Sequence, residues 1–92
     1  MKHAGSTALK KVAWLLDALR ALPQLTERTP GAFYRKSSAF LHFHDDLAGV
    51  FVDVKIDPAT FTRFRVSTKT EQRATLARVT RVLNQGLPNP SG

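Results

Sequence analysis

Phe40-Leu41-His42-Phe43-His44-Asp45-Asp46-Leu47-Ala48-Gly49-Val50-Phe51-Val52-Asp53-Val54-Lys55-Ile56 alternates apolar and polar side chains in two runs separated by a polar, Gly-containing break. Period two is the signature of a strand, in which successive side chains point to opposite faces, and the break has turn chemistry. The register of this hairpin follows from matching apolar faces, because a slip of one residue would turn every side chain over. Phe43 opposite Val52 puts Leu41 opposite Val54 and Ala39 opposite Ile56, a uniformly apolar face. The other face then pairs His44 with Phe51, His42 with Asp53 and Phe40 with Lys55.

Outward from the hairpin, Ala32–Arg35 reads as a short strand, with Lys36-Ser37 as a tight turn into Ala39–His44. The next strand is Val50–Ile56. Asp57-Pro58 begins a turn or a single helical turn. Phe61–Ser67 resumes the alternation, with Phe64 and Val66 inward and Arg63 and Arg65 outward. Upstream, Ser6 or Thr7 is placed to cap a helix that runs to about Leu22 and ends at Pro23. Leu9, Val12, Leu16 and Leu19 share one face of it, flanked by Ala8, Leu15 and Leu22. Trp14 falls on the opposite face, either under the carboxy-terminal tail or on a partner surface. Residues 23–31 read as a connector punctuated by Pro30-Gly31. Downstream, Thr68-Lys69-Thr70-Glu71 fits a capping box, Leu76, Val79 and Leu83 with Val82 make a buried stripe, and Gly86 and Pro88 stop the helix.

The expected fold is therefore α+β, a two-layer sandwich of order α-β-β-β-β-α. Its sheet is a four-stranded antiparallel meander with both helices on one face. Residues 1–92 form a single domain with flexible ends at 1–5 and 86–92. A chain of 92 residues buries roughly 60–65% of its unfolded surface, enough for one modest core.

With no cysteine, disulfides, thiolate metal sites and cysteine nucleophiles are excluded. Asp17 and Arg20 interrupt the apolar run Val12–Leu16, and nothing approaches the ~20 apolar residues of a membrane span. A soluble, cytoplasmic protein is the expectation. The formal net charge is +7, with a pI near 10.6. Arg63, Arg65, Lys69, Arg73, Arg78 and Arg81 face only Glu71 between residues 60 and 81, so this stretch holds most of the excess. Such a field favours anionic partners.

Three uses of the leftover sheet face follow. Exposed rings of Phe33, Phe40 and Phe51, with Lys55, Arg63 and Arg65 around them, would stack unpaired bases and hold phosphates. His42 and His44, two apart on one strand, with Asp53 across from His42, supply the donors of an open divalent-metal site. The same rings would be hidden in a homodimer, with His42 and Asp53 then a cross-strand pair of roughly 0.2–1 kcal/mol. There is no Gly-rich phosphate loop and no G-x-S-x-G, and seven acids are too few to expect a carboxylate pair in a cleft.

The run from Leu22 to Ile56 resembles the bacterial MmcQ/YjbR-like group. Arg35-Lys36-Ser37-Ser38-Ala39-Phe40-Leu41 takes the place of that group's second-strand pattern, with Ser where the pattern has Gly. Phe40–His44 (FLHFH) is similar to a run in a bacterial "luciferase domain" family of unknown activity. The first resemblance implies a nucleic-acid role and no catalytic residues. This chain lacks the later strand segments of that group. The expected function is thus a non-enzymatic basic module for an anionic macromolecule such as nucleic acid. The alternatives are a metal-binding protein or enzyme using His42, His44 and Asp53, or a structural homodimer.

Overall fold

The computed structural model of the protein describes residues 2–3 and 5–85. In chain order the elements are β1 (Lys2–His3), α1 (Ser6–Lys11), α2 (Ala13–Arg20), β2 (Leu25–Thr29), β3 (Ala32–Arg35), β4 (Ser38–Asp46), β5 (Gly49–Asp57), β6 (Thr60–Arg65) and α3 (Lys69–Gln85). Strands β2 to β6 lie side by side in sequence order as an antiparallel meander, and β1 pairs with β4. The α+β class and the meander are as expected, but the sheet has more than four strands.

β2 is the larger addition. It lies within the stretch read as a connector because its sequence, Leu-Thr-Glu-Arg-Thr, has one apolar residue and so no hydrophobic alternation. It is an edge strand, where charged and polar residues blunt further pairing. Its register with β3 aligns Leu25 with Arg35 and Glu27 with Phe33. Pro30-Gly31 turns the chain between them, with Gly31 at φ 81, the left-handed conformation that glycine adopts at no steric cost. β1 falls in the stretch expected to be flexible, and aligns Lys2 with Asp45 and His3 with His44. The expected flexible end at 86–92, with the stop at Gly86 and Pro88, lies outside the described residues.

The β4–β5 register is the one that apolar matching demands: Leu41 opposite Val54, His42 opposite Asp53, Phe43 opposite Val52 and His44 opposite Phe51. The ladder ends at Leu41 and Val54, so the expected Ala39–Ile56 and Phe40–Lys55 pairs do not form. The reason is a bulge on the β3 side. Phe33 aligns with Leu41 and Tyr34 with Ala39, leaving Phe40 as an extra residue. An extra residue breaks the alternation, and Phe40 enters the core beside Leu41. Phe33, aligned with Leu41, shares its face and is buried too. The expectation that Phe33 and Phe40 stand on the open face is therefore corrected.

Phe33, Leu41, Phe43, Val52 and Val54 pack against Leu15, Leu16 and Leu19 of α2 and Val79 and Leu83 of α3 in one cluster. Both helices thus cover one sheet face. The first helical segment is broken at Val12, whose φ and ψ of −113° and 24° leave the helical region while its side chain stays buried. Gly5, not Ser6 or Thr7, is the residue before α1, with no side-chain cap. The capping box of α3 does form: Thr68 Oγ1 accepts from the Glu71 amide at 3.1 Å, and Glu71 Oε1 accepts from the Thr68 amide at 3.0 Å. Gln72, one residue on, is buried and donates Nε2 to the carbonyls of Lys11 and Val66, tying the start of α3 to the end of α1 and to the exit of β6.

Candidate functional site

β6 pairs beside β5, which aligns Asp53 with Arg63, Phe51 with Arg65 and Lys55 with Phe61. One row of the open face therefore runs Ala32, His42, Asp53, Arg63 across four strands. Asp53 is its hub. Arg63 donates Nε to Oδ1 at 2.7 Å and Nη2 to Oδ2 at 2.8 Å. Such a two-pronged, charge-assisted pair is geometrically selective. The Arg63 guanidinium holds the Asp53 carboxyl below the usual carboxylate range, against an opposing effect of partial burial.

His44, not His42, reaches the carboxylate: its Nε2 lies 3.0 Å from Asp53 Oδ2. The expected His42–Asp53 pair is thus replaced, although the two residues face each other across the ladder. The His42 ring instead turns along its own strand, with Nδ1 2.8 Å from His44 Nε2 and the two rings nearly perpendicular. Phe61 flanks it with ring centroids 5.1 Å apart, and Lys55 Nζ lies 5.3 Å from the Phe61 ring. One donor atom each from His42, His44 and Asp53 lies within 4.8 Å of the others. The three candidate metal ligands are therefore brought together.

The candidate stacking surface is rearranged. Phe33 and Phe40 are in the core and Phe51 is half-buried, while Phe61, which is not among the expected stacking residues, is 41% exposed. Lys55, Arg63 and Arg65 do occupy the open face. Arg63 is held by Asp53, and Arg65 by Glu71 at 3.0 Å and the Ala48 carbonyl at 3.1 Å. Burial of Phe33 and Phe40 takes two of the three expected rings off the open face.

A second constellation lies on the helix layer. Trp14 of α2 is 37% exposed, with Lys69 Nζ 5.5 Å and the Arg73 guanidinium 5.9 Å from its ring. It borders a groove of about 780 Å³ along α3, with Leu76, Ala77 and Thr80 in its lining and Arg73 and Arg81 beside them. Among the described residues, Lys69, Arg73 and Arg81 make no salt bridge. The expected cover of Trp14 by the carboxy-terminal tail lies outside the described residues. The signal for this flank is in the sequence: Lys69, Arg73 and Arg81 recur at multiples of four, a spacing that keeps them on one side of a helix. No described helix is long and apolar enough to cross a membrane. Comparison with protein-family models, curated proteins and solved structures finds no match to this chain.

Proposed function

We propose that the protein is a non-enzymatic binding module for an anionic macromolecule, single-stranded nucleic acid in particular, and that it binds along the Trp14 flank of α3. The observation that carries this reading is the exposed Trp14 ring between Lys69 and Arg73, on the rim of an apolar groove whose cations have no acid partner among the described residues. An aromatic ring offers any base a stacking surface, and unpaired cations beside it neutralise the flanking phosphates. The open sheet face is less suited, because Arg63 and Arg65 are already neutralised by Asp53 and Glu71. The +7 net charge draws polyanions to the whole surface.

Trp14 is the sole tryptophan, so its fluorescence reports the proposed contact directly. Titration with a mixed single-stranded oligonucleotide at low salt should quench it. The affinity should fall with salt, with a log–log slope of about −2 for three neutralised phosphates. Trp14→Ala should weaken binding by about tenfold, since stacking on one ring contributes ~1–3 kcal/mol. Arg73→Gln and Arg81→Gln should each reduce the salt slope by about 0.7. Absence of binding at low salt, or full affinity in all three folded variants, would overturn the reading.

A further inference from the structure

We infer that His42, His44 and Asp53 form a binding site for one divalent first-row transition ion of the zinc class, on the sheet face opposite the Trp14 groove. The inference is independent of nucleic-acid binding. Its basis is convergence: His42 Nδ1 lies 2.8 Å and Asp53 Oδ2 3.0 Å from His44 Nε2, and one donor atom from each of the three residues lies within 4.8 Å of the others. All three atom types carry a lone pair when the imidazoles are neutral and the carboxylate is ionised. His44 Nε2 faces both His42 Nδ1 and Asp53 Oδ2, and a single N–H there lies along one of the two lines at a time. An ion at the shared focus satisfies all three donors together.

The dimensions suit this. Around a four-coordinate ion with bonds of about 2.0–2.1 Å, neighbouring donor atoms stand roughly 3.3 Å apart. The two sides that join at His44 open by a few tenths of an ångström to reach that spacing, while the side between His42 and Asp53, within 4.8 Å, closes by rotations of up to about 1.5 Å at the donor atoms. The backbone need not move, because all three residues sit on the central β4–β5 ladder. His44 and Asp53 side chains are only 12% and 14% exposed, and Phe61 walls His42 on one side. Shielding of this kind lets side chains compete with water for the ion.

Arg63 sets the type of ion. Its two bonds hold the Asp53 carboxylate in place, as outer hydrogen bonds do for ligating carboxylates. It also cancels the carboxylate's charge, so attraction for a bare dication is weak. Binding must then come from the two imidazoles, which suit zinc, nickel, copper or cobalt, and not from oxygen ligands as calcium and magnesium require. Three protein donors leave an open coordination position for water or a small anion.

Zinc and cobalt titrations of the intact protein test this. Isothermal titration should give one zinc per chain, and cobalt should give the visible absorption of a low-coordinate, nitrogen-ligated ion at the same stoichiometry. Magnesium and calcium should not displace either metal. At about 100 times its Kd, zinc should raise the melting temperature by about 10 °C or more. His42→Ala, His44→Ala and Asp53→Asn should each weaken zinc binding at least about tenfold, and Trp14→Ala should leave it unchanged. No stoichiometric zinc or cobalt binding by the unmodified protein would overturn the inference, whatever the variants do. So would unchanged affinity in folded His42→Ala and His44→Ala. Nucleic-acid titration of the metal-free and zinc-loaded protein keeps this result separate from the fate of the Trp14 proposal.

Discussion

Phe40 and Leu41 are neighbours in the chain, yet both side chains point into the core, 3% and 0% exposed. In a regular strand they would face opposite ways; the bulge between β3 and β4 makes them share a face. The same bulge clears the open face of two phenylalanines and leaves Phe61 and the histidines on it.

The energetic consequence separates Phe40 from Phe61. Phe40→Ala should cost about 3–5 kcal/mol, the usual range for emptying a buried ring site. Phe61→Ala, at an exposed position, should cost well under about 1 kcal/mol. Urea unfolding followed by circular dichroism compares them, with Phe40→Leu as a milder variant expected to lie between. Equal losses at the two positions would contradict the bulge.

At the start of α3, Thr68 and Glu71 satisfy each other's amides. Thr68→Ala should destabilise the protein by about 1 kcal/mol and lower the melting temperature by about 4–8 °C, while Thr68→Ser should stay close to the parent. Differential scanning calorimetry of the three proteins is sufficient.

Gly49 closes the β4–β5 turn at φ 130. A side chain there would be strained, and its Cβ would overlap Ser67 Oγ, which accepts a hydrogen bond from the Val50 amide at 2.8 Å. Gly49→Ala should cost about 1–3 kcal/mol. Adding Ser67→Ala should not restore stability, because the backbone strain remains and the Val50 amide loses its partner. Chemical denaturation of the single and double variants reads this directly.

Glu27 joins β2 to the helix layer. Arg20 donates to its two oxygens at 2.6 and 3.1 Å, and the Gly31 amide adds a third bond at 2.9 Å. The Arg20 hydrogen bonds hold the Glu27 carboxyl below the usual range, opposed by partial burial. A depressed carboxyl stabilises the fold fully above its unfolded value, near pH 4.3, and that contribution is lost as pH falls through the folded value. Glu27→Gln should therefore cost about 0.5–1 kcal/mol above roughly pH 5.5, discounted for the exposure of Arg20. The gap between variant and parent should close as the pH drops below 4. A gap that widens in acid would contradict the pairing.

Alternation and capping are local, and they were legible in residue order. Leu41, Phe43, Val52 and Val54 could occupy one face in only one register, because slipping by one residue would bury His42 and His44. Thr68 and Glu71 announced the last helix for a similar reason, since both partners lie within one turn. The presence of His42, His44 and Asp53 on one open face followed from the same parity.

What residue order did not contain was any property set by a neighbour distant in the chain. β2 has too few apolar residues to be seen as a strand and exists because β3 offers an unpaired edge. The bulge at Phe40 arises where β3 must fit beside β4, and it moves Phe33 and Phe40 into the core. His42 turns to His44 while Arg63 takes Asp53, an outcome that needed β6 to pair beside β5. Sequence alone thus determined the hairpin, its register from Leu41–Val54 to the turn and the face that carries the histidines, because backbone periodicity acts over a few residues. Tertiary structure decided which of those residues touch, because hydrogen-bond partners compete across strands that only folding brings together.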